Sequence, residues 1–199
     1  MSTREKSHKL IHYLMKKNAV PSTSENVEVK RYRYIKMGCP ISKVLDSLNI
    51  VYQEVGNSDV YKNLKIEYLD PEKNGEDFIF VFNKSLLTGT DPYQPIDYSD
   101  LNKFPKTTFL GYLYGRPVAF VTYTIEKEDG LRVGVIAGLG VIPEYRRRGV
   151  AKALLLKTAR ELESIFKVNK LVCDVYEKNV ASLNLVKKFG FKEEGEFYI

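Results

Sequence analysis

Val141-Ile-Pro-Glu-Tyr-Arg-Arg-Arg-Gly-Val-Ala-Lys-Ala-Leu-Leu-Leu156 decides the fold of this 199-residue chain. Just before it, Leu131, Val133, Val135, Ala137, Leu139 and Val141 alternate as in a β-strand. Pro143 ends the ladder, because proline has no N–H to donate. Further on, Ala151, Leu154, Leu155, Thr158, Leu162 and Ile165 fall along one side at helical spacing. Arg146, Arg147, Arg148 and Gly149 stand between the two patterns. The first N–H groups of a helix have no intrahelical partner, and its dipole favours negative charge. Gly149 carries no Cβ, so a ligand can approach the backbone closely. Strand, basic turn and helix start together predict a phosphate or pyrophosphate site. A generic turn with solvated arginines is the competing reading of the stretch alone.

A second pattern follows about thirty residues on. Leu171-Val-Cys-Asp-Val-Tyr176 reads as a short strand, and Glu177 to Phe191 reads as a turn, a helix and a restart. Leu183, Val186 and Phe189 can face a core from that helix. Gly190 suits a left-handed C-cap, and Phe191 begins a further strand. Upstream, Leu64–Leu69 reads as a strand and Pro71–Leu87 as a helix with Phe78, Phe82 and Leu86 on one side. Thr88–Lys106 is a proline-rich loop with a helical turn near Tyr98–Lys103. Thr107–Tyr114 and Pro117–Glu126 are strands joined through Gly115-Arg116, and Asp129-Gly130 turns into the next.

Taken together, these stretches resemble the GNAT acyltransferase superfamily over about residues 64–199. Members carry a [Gln/Arg]-x-x-Gly-x-[Gly/Ala] turn after their fourth strand, and it cradles the pyrophosphate of coenzyme A. Arg146-Arg147-Arg148-Gly149-Val150-Ala151 matches it, with Lys152 next in line. The resemblance implies an α/β fold: a mixed, mostly antiparallel central sheet flanked by helices. It implies acetyl-CoA as acyl donor, no metal, and direct acetyl transfer to a primary amine of a peptide, protein or small molecule. Asn179 matches the family's cofactor-contacting Asn in the splay between strands four and five, with Ser182 beside it. Leu139, Gly140 and Val141 match the backbone that polarises the thioester. Gly138 and Gly140 are expected to let that strand bulge and the thioester lie against it.

The proton chemistry departs from the family in two places. Some members hold an acidic base where this chain has Val135. Others use a carboxylate five residues before the Asn, and Asp174 stands there. Strand alternation puts Val172, Asp174 and Tyr176 on one face, so Asp174 is the candidate general base; an Asp held in a structural hydrogen bond is the alternative. Many members place a tyrosine seven residues after the Asn to protonate the leaving thiolate, and Val186 occupies that position. Tyr176 and Tyr198 are the substitutes at hand. These gaps keep a second reading open, an acyl-CoA-binding sensor or scaffold with little turnover.

Composition sets the remaining bounds. Hydrophobic residues make up 44% of the chain, enough for a packed core. No apolar run nears the ~20 residues of a membrane span, and Met1–His8 lacks a secretory apolar stretch. Cys39 and Cys173 make neither a disulfide framework nor a metal site. A cytoplasmic protein without a membrane partner is expected. His8 and His12 have metal-ligand spacing on a helix predicted over Arg4–Lys17, but a solvated face explains them better. Residues 1–62 hold eleven Lys/Arg against six Asp/Glu, a net +5 of the chain's +6. They read as a small basic α+β appendage to a catalytic domain over 63–199, with a strand at Val27–Ile35 and a helix at Ile41–Leu48. Arg31, Arg33 and Lys36, interleaved with Tyr32 and Tyr34, allow a nucleic-acid partner, though a solvated strand edge is favoured. Asp91, Asp97 and Asp100 suit a cationic amine acceptor, or are turn-forming residues of a solvated loop.

Overall fold

The computed structural model describes residues 32–87, 92–128 and 130–199. The helix expected over Arg4–Lys17 and the His8/His12 pair lie outside them. Strands are β1 (Arg33–Pro40), β2 (Leu64–Tyr68), β3 (Thr108–Leu113), β4 (Arg116–Glu128), β5 (Leu131–Val141), β6 (Lys170–Tyr176) and β7 (Lys192–Tyr198). Helices are α1 (Ile41–Val55), α2 (Asp59–Asn63), α3 (Pro71–Leu86), α4 (Val150–Ser164) and α5 (Val180–Lys188). A 3-10 turn at Tyr98–Lys103 stands where the sequence predicts one. The strands form one sheet in the order β2-β3-β4-β5-β6-β1-β7. Only β5 and β6 pair in parallel; every other pairing is antiparallel.

The two faces of the sheet are set by what backs each glycine of β5. A Cβ on Gly134 would press on Leu171 and Leu162, so that face carries α4. A Cβ on Gly140 would collide with Ser85 Oγ and the Phe120 ring, so the opposite face carries α3. Helix α3 starts on Pro71, with Asp70 accepting from the Glu72 N–H at 3.1 Å. It buries Phe78, Val81 and Phe82, and the two phenylalanine rings meet Phe104 and Phe120 at centroid distances of 4.7 to 5.4 Å. Burying each such ring contributes roughly 1.5–3 kcal/mol.

Helix α4 buries Val150, Ala153, Leu154, Leu156, Thr158, Ala159 and Leu162. Ile165, expected on that stripe, is 64% exposed because it lies past the last helical residue and off the buried arc. Helix α5 ends as the sequence predicts. Gly190 has φ +83°, its N–H bonds Lys187 O at 3.0 Å, and Phe191 N–H reaches back to Val186 O at 3.2 Å, the two bonds of a Schellman stop.

Residues 32–62, the described part of the expected appendage, join the sheet and its core. Strand β1 runs from Arg33 to Pro40 and overlaps the end of the strand expected at Val27–Ile35, of which residues 27–31 lie outside the described residues. It lies between β6 and β7, paired antiparallel to both. Met37 and Cys39 of β1 and Val44, Leu48 and Val51 of α1 share one buried cluster with Leu154, Leu156 and Phe189. Among the described residues, those before the division expected at residue 62 share a core with those after it. Burial on both faces explains the near-continuous apolar run in β1, which reads poorly as an alternating edge strand. Helix α1 also extends seven residues beyond the predicted Leu48. Arg33 and Lys36 are engaged within the fold: Arg33 pairs with Glu196 and Glu177, and Lys36 Nζ lies 5.5 Å from the Phe197 ring centre.

Candidate active site

The sheet opens between β5 and β6. They pair only from Val133–Lys170 to Ile136–Cys173. Beyond that point β5 follows β4 as far as Val141, and β6 follows β1 as far as Tyr176. A bulge sits where the strands part: Thr122 pairs with Gly138 and Tyr123 with Ile136, leaving Ala137 as the extra residue. The result is a cleft of about 1120 Å³, its open mouth included. Its walls include Ile136, Ala137, Gly138 and Leu139 on one side and Cys173, Asp174, Val175 and Tyr176 on the other.

Backbone groups aim into this opening. The Ile142 N–H bonds Val118 O of β4 at 3.0 Å. Antiparallel alternation then turns the Gly140 N–H toward β4 as well, and turns Leu139 and Val141 away from it, toward the gap. The outward Val141 carbonyl accepts from Arg146 Nε at 3.0 Å, as this orientation requires. Gly138 lines the cleft, whereas the missing side chain of Gly140 is what lets Ser85 and Phe120 close against β5. Of the two glycines expected to soften the strand, Gly140 thus serves the packing of α3.

The turn after β5 forms a concave run of N–H groups. Arg147 has φ +62° and Gly149 φ +86°, with Arg148 between them outside the left-handed region. Alternating handedness of this kind turns successive N–H groups to one side as an anion nest. Gly149 is the N-cap of α4, and the first N–H of that helix turned inward is Ala153, on Gly149 O at 2.9 Å. The Val150, Ala151 and Lys152 N–H groups precede it and point out of the helix end. A left-handed Arg147 costs about 1 kcal/mol or more, and the surrounding bonds hold it. Arg146 donates to Val141 O and, at 2.7 Å, to Ser85 O, so its guanidinium braces the turn against α3. Lys152 Nζ is held by Glu54 of α1 at 2.6 Å, which lowers the proton affinity of Glu54. Arg148 stacks over the Tyr145 ring at 5.5 Å. The exposed cation over the turn with no protein partner among these contacts is Arg147, a division of labour that sequence spacing does not disclose.

Asn179 and Ser182 meet at the start of α5, and both line the cleft. Asn179 is the N-cap, with its Oδ1 accepting from the Ser182 N–H at 3.0 Å. The capping bond fixes the amide at the cleft wall.

The catalytic candidates separate clearly. Asp174 lines the cleft, and its Oδ1 has no solvent contact. Val172, on the same face of β6, packs with Val133 and Val135, so Val135 lies in an apolar cluster away from the cleft lining. Val186 lines the cleft from α5. Tyr176 lines it too and is 6% exposed, whereas Tyr198 sits on β7, 55% exposed, with its hydroxyl on Glu196 at 3.3 Å. Tyr68 and Tyr123 both donate to Glu161 of α4; burial first, then that carboxylate, hold the Tyr123 phenol well above its usual proton affinity. They tie α4 to the sheet outside the cleft lining.

The loop aspartates are mostly spent on structure. Asp97 and Asp100 form a reciprocal capping box, and Asp100 is fully buried. Asp91 lies outside the described residues. Sequence reasoning missed Tyr93, the place of Phe82 at the cleft, and Asn83. The first two line or flank the cleft, and the Asn83 amide clamps the Ile96 N–H and carbonyl at 2.8 and 2.9 Å. An Asn in mid-helix carries no such signal.

Residues 76–191 match the Acetyltransferase (GNAT) family, and the chain belongs to it. An N-alpha-acetyltransferase of Sulfurisphaera tokodaii is 25% identical over 125 residues, 59% of this chain and 74% of that protein. Among solved structures, a conserved protein of unknown function from Staphylococcus epidermidis superposes with TM-score 0.58 at 14% identity, covering 90% of this chain and 68% of the other. The AAC(6')-Iy enzyme, solved with a CoA-S-monomethyl-acetylneamine bisubstrate analog, superposes with TM-score 0.53 at 20% identity, covering 66% and 92%. The chain is thus an acetyltransferase of this family. Among the described residues no helix is long and apolar enough to cross a membrane, and no cluster of three His, Cys, Asp or Glu is placed to hold a metal.

Proposed function

We propose that the chain transfers an acetyl group from acetyl-CoA to a primary amine by direct attack within the cleft between β5 and β6. One observation carries the reading: the sheet opening that bares the Leu139 and Val141 N–H groups leads to the left-handed turn at Arg147 and Gly149. Acyl donor and pyrophosphate would need those two features at the two ends of one path. The turn fits the group chemically, since it offers N–H groups, a helix start and cationic side chains to an anion. In this reading Arg147, Arg148, Gly149, Val150, Ala151 and the Lys152 N–H hold the pyrophosphate. Arg146 and the Lys152 side chain keep the turn in shape. Asn179 and Ser182 border the pantetheine arm.

Leu139 and Val141 would polarise the thioester carbonyl, an electrostatic contribution worth about 3 kcal/mol per well-aimed donor. Asp174 takes the amine proton, directly or through one water, as the C–N bond forms. The C–S bond breaks and the thiolate gains a proton. Val186 has none to give, and an unperturbed thiol has pKa about 8.5, so Tyr176 or solvent suffices. The relative named N-alpha-acetyltransferase supports a peptide amine among the acceptors. The two cysteines, both buried and free, are in keeping with a reducing cytoplasm.

A second reading, an acyl-CoA-binding protein with little turnover, draws on Val186 in the cleft wall. Of the residues behind the nucleic-acid reading, Arg33 is engaged by Glu196 and Glu177, and Arg31 lies outside the described residues. Calorimetry with acetyl-CoA, followed by thiol release in the presence of amines, is the test. No binding sinks the proposal; tight binding with no thiol release for any amine favours the second reading.

A further inference from the structure

We propose that Glu54 of α1 sets the affinity of the donor site by competing with the donor's phosphates for Lys152. The Lys152 ammonium rests on Glu54 while the turn is empty and moves to a phosphate oxygen when acetyl-CoA binds. This rests on the donor reading above, in which the turn before α4 holds the pyrophosphate. Glu54 stands ahead of the family-matched residues 76–191, on the helix that follows β1.

Lys152 lies in the first turn of α4, three residues past the Gly149 N-cap. Its N–H is one of the free donors at the helix end, and its side chain leaves from the same turn. The ammonium is 2.6 Å from Glu54 Oε2, with the lysine side chain 27% and the glutamate side chain 55% exposed. An anion at the helix end and the Glu54 carboxylate are therefore both within reach of one lysine side chain. An ion pair this exposed is held weakly. A pyrophosphate, with two charges against one, draws the ammonium away from it.

Packing keeps the carboxylate where it is. Val44, Leu48 and Val51 of α1 are buried in the same core as Leu154 and Leu156 of α4. On the outer side, the Arg160 guanidinium lies over the Tyr52 ring at 4.9 Å and donates to the Tyr61 hydroxyl at 3.3 Å. Lys157 donates to Leu64 O at 2.9 Å. Helix α1 is thus fixed on α4 whether or not the ion pair is made. The hydrogen bond and charge of Lys152 lower the proton affinity of Glu54 most, and the charge of Lys188 on α5 lowers it further. That second cation keeps the carboxylate ionised after Lys152 has left. Donor binding must then break one ion pair and accept a negative charge beside the turn. Both effects weaken the hold on acetyl-CoA, and both speed release of the CoA product, which carries the same phosphates.

Calorimetry of the full chain with CoA tests this. Glu54→Gln removes the charge and keeps the shape, and a thermal melt checks the fold. We expect CoA to bind Glu54→Gln roughly two- to five-fold more tightly than wild type in about 0.05 M salt, the scale of one exposed ion pair. The two affinities should converge in about 0.5 M salt, where exposed charges are screened within a few ångströms; a change of shape alone would persist. In a Lys152→Gln background the same substitution should alter affinity less, because Glu54 acts by holding Lys152. Equal or weaker binding by folded Glu54→Gln, or a gain that persists at high salt, overturns the inference and leaves the donor site standing. No CoA binding by the wild type overturns both. If Glu54→Gln does not fold, a crystal structure of the wild type with CoA decides. Lys152 Nζ on a phosphate oxygen and away from Glu54 is expected; an intact Lys152–Glu54 pair with no phosphate contact overturns the inference.

Discussion

Arg146 donates to the carbonyl of Ser85 across 61 positions of sequence, at 2.7 Å, while its Nε holds Val141 O. The motif's first residue is therefore a brace between α3 and the turn. Arg146→Lys keeps the charge and loses the fork that spans both carbonyls. We expect a stability loss of about 1–2 kcal/mol in urea denaturation, together with several-fold weaker acetyl-CoA binding because the turn is no longer held. An unchanged urea midpoint would show that the brace carries no weight.

Gly149 meets a demand that other residues meet only at a cost, a left-handed backbone with φ +86° at the start of α4. Gly149→Ala should cost about 1 kcal/mol through φ alone and weaken acetyl-CoA binding modestly. Gly149→Glu adds bulk and like charge at the nest and should abolish binding in calorimetry, with circular dichroism confirming a folded protein. Wild-type affinity in folded Gly149→Glu would remove the turn from the cofactor path.

Local chemistry made most of this fold readable. The turn Arg146–Ala151, the cap at Gly190 and the alternation of β5 each depend on neighbours a few residues away, and each stands where the sequence puts it. Long-range pairing was not readable. The run Arg33–Pro40 gives no hint that it inserts between β6 and β7, because that choice is made by strands 130 or more residues downstream. Roles within the motif were hidden for the same reason. Arg146 finds Ser85 and Lys152 finds Glu54 only once helices from elsewhere arrive. Asp97 and Asp100 looked like charge for a substrate, and a reciprocal cap consumes them.

Asn179 offers a separable test because its Oδ1 already caps α5 through Ser182. Asn179→Ala should lose about 1 kcal/mol of stability with the cap and also weaken acetyl-CoA binding. Asn179→Ser restores the cap acceptor and not the amide. If Asn179 borders the donor, the serine variant recovers its thermal midpoint while affinity stays reduced. Full recovery of both would make Asn179 a capping residue only.

Asp174 is the proposed base, and its cleft-wall position beside Tyr176 permits a direct measurement. Asp174→Asn keeps the shape and removes the proton acceptor, so acetyl-CoA affinity should hold while the rate falls, on the order of a hundredfold for direct action and less through a water. The sign with pH follows from the acceptor. At lower pH the amine is mostly protonated and needs the base most, so the deficit is largest there. As pH rises toward the amine's own pKa, free amine accumulates unaided and the deficit shrinks. Val186→Tyr in the same background separates the two protons: a restored acid should raise the rate of the wild type by easing thiolate departure, yet leave the pH-dependent deficit of Asp174→Asn in place. pH–rate profiles of the four proteins on one amine read both effects. Parallel profiles for wild type and Asp174→Asn at similar rates would make Asp174 structural and leave the amine proton to solvent.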